Sequence, residues 1–115
     1  MRRVDEAIRQ VIGDALAHHL KDPRVGFVTV TDVSTSPDLA HARVYVSVLA
    51  ADGSPSDEGE RAASLDGLQS ARGYLQARVA EELGFKRTPE LRFVYDETTD
   101  RAMRLEHLLQ ERDEA

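Results

Sequence analysis

The first twenty residues constrain this chain most. Val4, Ala7, Ile8, Val11, Ile12, Ala15, Leu16 and Leu20 recur at spacings of three and four. That spacing places them in one stripe along an amphipathic helix of about five turns. Asp5 and Glu6 fall in its first turn and Lys21 at its end, the polarity that the helix macrodipole favours. Asp22-Pro23 ends the run, because the residue before a proline is pushed out of helical geometry. A helix that is apolar on one side needs a second layer to cover that side.

The chain supplies one. Gly26-Phe27-Val28-Thr29-Val30-Thr31-Asp32-Val33 is dense in β-branched residues and reads as a strand. Ala42, Val44, Val46 and Val48 alternate with Arg43, Tyr45, Ser47 and Leu49, the period of a strand with one face buried. Ser34-Thr35-Ser36-Pro37-Asp38 between them is turn chemistry, so the pair predicts an antiparallel hairpin with a loop longer than two residues. In the polar stretch Ala51–Asp57, Ser54 is placed to cap a helix, with Pro55 at its first position and Asp57 three residues after the cap. Helical spacing then runs from about Glu58 to Leu83 through Ala62, Leu65, Leu68, Ala71, Leu75 and Val79, and Gly84 supplies the stop.

Gly67 and Gly73 lie inside that run. A glycine within a helix costs about 1 kcal/mol relative to alanine, so Gly73 predicts a kink or the close approach of another backbone. Pro89–Asp96 reads as a third strand with Leu91, Phe93 and Tyr95 on one face. Thr98 or Thr99 then caps a short helix with apolar positions Ala102, Met103, Leu105, Leu108 and Leu109, fraying after Gln110. The predicted architecture is one small α+β domain, a three-stranded sheet with helices on one face. Residues 1–97 form its body, and residues 98–115 add a C-terminal helix and acidic tail to the same domain. A chain of 115 residues has room for one domain and can fold without metal or disulfide staples.

Several function classes drop out. There are no cysteines, which removes disulfides, thiolate catalysis and cysteine zinc sites. No apolar run approaches the roughly 18 residues of a membrane span, and Met1–Glu6 turns acidic at once, unlike a secretory signal. A cytoplasmic protein without membrane association is expected. His18-His19 lacks the i, i+4 spacing of paired ligands; Asp14 and His18 have it, and read as a solvated pair on a helix face. Asp96, Glu97 and Asp100 cluster where a strand meets a helix, the ordinary place for helix-start carboxylates. Neither a phosphate loop nor a nucleophile elbow is present. No enzyme, metal or cofactor is expected.

The charge is more informative in its distribution than in its sum. The net value of −6 argues against a nucleic-acid partner. Residues 1–49 are neutral, however, residues 70–95 carry +2, and residues 50–69 and 96–115 carry −4 each. Arg72, Arg78, Lys86, Arg87 and Arg92 fall close together beside the glycine break, while Arg2, Arg3 and Arg9 charge the start of the first helix. Lys21, Arg24 and Arg43 lie near the hairpin ends. Two readings are open: the arginines solvate helix faces and pair with Glu81, Glu82 and Glu90, or they fork onto phosphate oxygens where Gly73 lets an RNA backbone approach. Tyr74 fits either a packed core or a stacked base.

Taken in order, Lys21–Gly26, Val28–Val33, Ser36-Pro37-Asp38-Leu39, Ala42–Ser47 and Pro89–Asp96 resemble the sequence blocks of bacterial ribosome-binding factor A, over about Arg2 to Leu109. The resemblance implies a KH-like domain of type II, ordered α-β-β-α-α-β. In that family an interrupted helix carrying Ala-x-Gly replaces the G-x-x-G loop of ordinary KH domains, and Ala71-Arg72-Gly73 matches it, making Ala71 and Gly73 the expected kink. It further implies a non-enzymatic factor that binds the free 30S subunit, contacts 16S ribosomal RNA and supports processing of that RNA's 5′ end, most needed in cold growth. The RNA-binding residues expected on these grounds are Arg72, Gly73, Arg78, Lys86 and Arg87, with Arg2, Arg3 and Arg9 beside them, in a monomer. The alternative is a protein–protein adaptor that does not bind RNA.

Overall fold

The computed structural model describes residues 2–18, 27–50 and 54–114. The expected helix end at Leu20–Pro23, His19, Lys21, Arg24 and the first half of the loop after the hairpin lie outside them. The element order is α1 (Arg2–His18), β1 (Phe27–Thr35), β2 (His41–Leu49), α2 (Glu58–Ser70), α3 (Arg72–Leu83), β3 (Glu90–Tyr95) and α4 (Glu97–Glu114). The strands form one sheet in the order β1-β2-β3, with β2 antiparallel to β1 and parallel to β3. A parallel partner requires the chain to cross over the sheet between β2 and β3; α2 and α3 are that crossover.

The α1 stripe lies where its spacing demands. Ile8, Val11, Ile12 and Ala15 are buried and share one core with Val30 and Val33 of β1, Ala42, Val44 and Val46 of β2, and Leu91 and Phe93 of β3. Leu68 of α2 and Leu75 and Val79 of α3 complete it. All three helices therefore cover one face of the sheet, as expected. Thr29, Asp32, Ser34, Arg43, Arg92 and Val94 are exposed on the other.

Four details depart from the sequence reading. Val30 and Val33 both point into the core because the β1–β2 register shifts between Val30 and Asp32; a bulge inserts one extra residue and so resets the alternation. The cap of α2 is Asp57, not Ser54: Asp57 Oδ1 accepts from the Glu60 amide at 2.7 Å, and Glu60 Oε1 accepts from the Asp57 amide at 3.1 Å. Ser54 and Pro55 instead return the chain to the sheet, with the Ser54 carbonyl accepting from the Ala50 amide and Pro55 bridging Leu49. The last helix starts at Glu97, ahead of the threonines, and continues helical through the acidic end to Glu114. Its Leu105, Leu108 and Leu109 are more than half exposed, so the helix reaches beyond the core. Among the described residues no helix is long and apolar enough to cross a membrane.

The fourth departure is the kink. The helical run breaks at Ala71, whose φ of −88° and ψ of 0° lie off the helical values. The Ala71 amide is shared between the Gly67 and Leu68 carbonyls at 3.0 and 3.1 Å, and the Ala71 carbonyl accepts from the Leu75 amide. That tight turn ends α2 and starts α3 with the Ala71 amide and carbonyl both hydrogen-bonded. Gly73 sits one residue inside α3, exposed, and a Cβ there would meet nothing within 4 Å. The expected kink is thus carried by Ala71 and not by Gly73. At the far end Gly84 does what was expected of it: its φ of 65° is left-handed, and its amide donates to the Ala80 carbonyl.

Candidate nucleic-acid interface

The expected cations do not form one patch. The fold sorts them into three groups, because consecutive positions on one helix face different neighbours.

The first group gathers where α3 begins and the sheet starts. In the parallel ladder His41 stands opposite Glu90 and Arg43 opposite Arg92. Arg72, at the first position of α3, reaches the Glu90 carboxylate at 3.5 Å. Arg92 and His41 approach the same carboxylate at 3.9 Å each. Lys86 and Arg87, exposed in the α3–β3 connection, line a concavity with His41, Glu90 and the hairpin turn. A second concavity, bounded by Ser34, Ser36, Arg43 and Arg92, shares His41 with the first. Arg72, Arg92 and His41 thus lie within 4 Å of one carboxylate, on side chains about half exposed, while Lys86, Arg87 and Arg43 line the adjoining hollows.

The hairpin turn beside them is rigidly built. Leu39 takes a left-handed φ of 59°, its amide donates to the Ser36 carbonyl, and Asp38 Oδ1 accepts from the Ser36 hydroxyl at 2.6 Å and the Ala40 amide at 3.0 Å. Those bonds, the hydroxyl's first, hold the Asp38 carboxyl below the usual aspartate range, with the His41 charge adding to them. Asp38 is therefore committed to the turn.

The second group is Arg78. It lies on the side of α3 that faces α1, three-quarters buried, and pairs with Glu82 at 2.9 Å and with Asp14 at 3.6 Å. It ties α3 to α1. The third group is the start of α1. Arg9 is hydrogen-bonded to Glu6, and this pairing holds the Glu6 carboxyl below its usual range and the guanidinium above its own. Asp5 and Asp32 border the same hollow, so the surroundings of Arg9 are acidic. Arg3 is exposed in the first turn, and the side chain of Arg2 lies outside the described residues.

Of the expected residues, then, Arg72, Lys86 and Arg87 come together, with Gly73 exposed beside Arg72; Arg78, Arg3 and Arg9 lie apart from them. Sequence reasoning grouped Arg92 with Arg72, Lys86 and Arg87 without naming it among the RNA-binding residues, noted Arg43 only as charge near the hairpin ends, and did not enlist His41. The missing signal was the parallel pairing of β2 with β3, which aligns His41-x-Arg43 with Glu90-x-Arg92. Tyr74 is 43% exposed, so the core reading of it fails. Asp14 and His18 form the exposed pair that their spacing predicts, 3.2 Å apart. Asp96 is structural, accepting from the Thr31 hydroxyl at 2.5 Å while its amide donates to Val46. No group of metal-ligating side chains occurs among the described residues.

Comparison with known proteins places this geometry among relatives. The sequence profile of the family described as Ribosome-binding factor A matches residues 1–109. A ribosome-binding factor A of Anaeromyxobacter sp. (strain Fw109-5) is 47% identical over 110 residues, 95% of this chain and 85% of that protein. The solution structure of a Thermotoga maritima protein described as a ribosome binding factor A superposes with a TM-score of 0.70 at 32% identity, covering 81% of this chain and 83% of its own. The crystal structure of ribosome-binding factor A from Thermus thermophilus gives 0.68 at 26% identity, covering 82% and 92%. Coordinates of the Thermus thermophilus factor fitted into the cryo-EM map of a 30S complex give 0.60 at 27%, covering 78% and 88%.

Proposed function

The chain belongs to the ribosome-binding factor A family, and from that premise we propose that it binds the free 30S ribosomal subunit through 16S ribosomal RNA and assists the subunit's late maturation. The observation that carries this reading is the cationic end of the domain, where Arg72, Arg92 and His41 approach Glu90 and Lys86, Arg87 and Arg43 line the two hollows that share His41. Guanidinium forks match phosphate oxygens bidentately. The exposed Gly73 beside Arg72 presents helix backbone without a side chain in the way, and Tyr74 offers a ring for stacking. A relative fitted into a 30S complex supports the choice of partner.

The mechanism needs no turnover. A surface that binds one conformation of an RNA better than its alternatives shifts the population toward that conformation by the difference in affinity. Acting so on the immature subunit, a cytoplasmic monomer of this protein favours the RNA fold from which the 16S 5′ end is processed, and it matters most in the cold, when RNA helices rearrange slowly. Sedimentation of tagged protein from a cell lysate tests the proposal. The protein should travel with free 30S subunits and be absent from translating ribosomes, and Arg72→Glu combined with Arg87→Glu should release it while circular dichroism stays native. Indifference of the purified protein to vacant 30S particles at near-physiological salt would overturn it.

A further inference from the structure

Glu90 stands out within the cationic end. It is an acid surrounded by Arg72, Arg92 and His41 at 3.5, 3.9 and 3.9 Å. These separations exceed the 2.7–2.9 Å of a closed charge-assisted hydrogen bond, so the carboxylate is shared among two guanidinium groups and an imidazole and held tightly by none. The contrast with its neighbours is instructive: Asp38 is bonded into the hairpin turn, and Glu82 closes on Arg78 at 2.9 Å. Glu90 is also about half exposed, so an incoming anion can reach the cations it shares.

We propose that Glu90 is a built-in counter-anion that occupies a phosphate position in this cluster and is displaced when a phosphodiester of RNA binds. The assignment rests on the RNA-binding reading above and adds to it the group that limits affinity. A carboxylate and a phosphodiester carry the same charge, so exchanging one for the other at Arg72 and Arg92 gains little by itself. The gain comes from an RNA that also presents phosphates to Lys86, Arg87 and Arg43. The site is therefore selective for folded RNA that brings several phosphates together, and it holds a lone or extended strand only weakly. A chain that is net acidic thereby combines a strongly basic end with weak binding to arbitrary RNA.

The test compares wild type, Glu90→Gln and Glu90→Asp for binding to fluorescently labelled poly(U) and to purified 30S subunits, across a salt series. Both substitutions leave intact the backbone bond from the Glu90 amide to Ala40, and circular dichroism checks the fold. Removing one negative charge about 4 Å from a bound phosphate should tighten poly(U) binding about fivefold even in a water-like dielectric. The log–log salt slope should steepen by about 0.7, as for one more phosphate contact on a single strand. Glu90→Asp, which keeps the charge, should stay within about twofold of wild type. Unchanged or weaker poly(U) binding by Glu90→Gln, poly(U) binding by neither protein, or Glu90→Asp behaving like Glu90→Gln would overturn the assignment while leaving 30S binding to stand by itself. Tightened poly(U) binding with no 30S binding by any variant would keep the role of Glu90 and sink the ribosomal reading.

Discussion

Arg72 and Arg78 share α3 but differ in their surroundings. Arg72 opens the helix beside β3 with its guanidinium near Glu90, whereas Arg78 faces α1 and closes on Glu82 and Asp14. Their substitutions should therefore separate. Arg72→Ala should weaken 30S binding about tenfold with stability unchanged within about 0.5 kcal/mol, as for a surface substitution away from the core. Arg78→Ala should do the reverse, lowering the urea midpoint by the equivalent of about 1 kcal/mol, the upper range for such an ion pair, with 30S binding nearly intact. Gly73 separates structure from function in the same way. Its Cβ position is open and its backbone helical, so Gly73→Ala should stabilise the domain by up to about 1 kcal/mol in urea denaturation. A fall in 30S affinity in that more stable variant would show that RNA comes against the bare backbone; equal affinity would leave Ala71 as the only residue of the break that matters.

Elements whose signal is local were legible in the sequence. The stripe of α1 as far as Leu16, the alternation of β2 as far as Val46 and the stop at Gly84 each follow from neighbours within one or two turns, and these appear as read, whereas Ser47 is buried where the alternation would expose it. What failed depended on residues far apart. The bulge in β1 is set by which valines the helices cover, and the parallel β2–β3 ladder by a crossover of some forty residues. The cap of α2 was misplaced for a subtler reason. Ser54-Pro55 and Asp57-x-x-Glu60 are both start signals, and pairing of Pro55 with Leu49 decides between them. Asp57→Ala should consequently cost about 1 kcal/mol, the usual effect of losing a side-chain cap, measured by thermal or urea unfolding. Ser54→Ala should cost less than half of that. The candidate site was half legible for the same reason: Arg72, Lys86, Arg87 and Arg92 are close in sequence, whereas His41 and Arg43 join them only through the ladder.

At the scale of the whole molecule, charge is segregated. Acid is concentrated between residues 50 and 69 and after residue 96, away in sequence from the cations of residues 70–95, so a net charge of −6 coexists with a basic end. Binding that neutralises about five phosphates on unpaired or junction RNA predicts a log–log salt slope of roughly −3.5, and a fourfold rise in salt should weaken 30S association on the order of 100-fold. An adaptor that docks a protein through uncharged contacts would respond far less, so a flat salt profile in a filtration or sedimentation assay would favour that class instead. The parallel ladder has a kinetic consequence as well. Because β3 is the last strand and joins β2 only after the crossover has formed, the hairpin can close early but the core cannot. Loop-closure entropy must be met before Leu91 and Phe93 reward it. A nascent polypeptide paused ahead of Glu90 still exposes the flank of β2 and the inner sides of three helices, so the interval in which it needs shelter ends only as the final strand clears the exit tunnel.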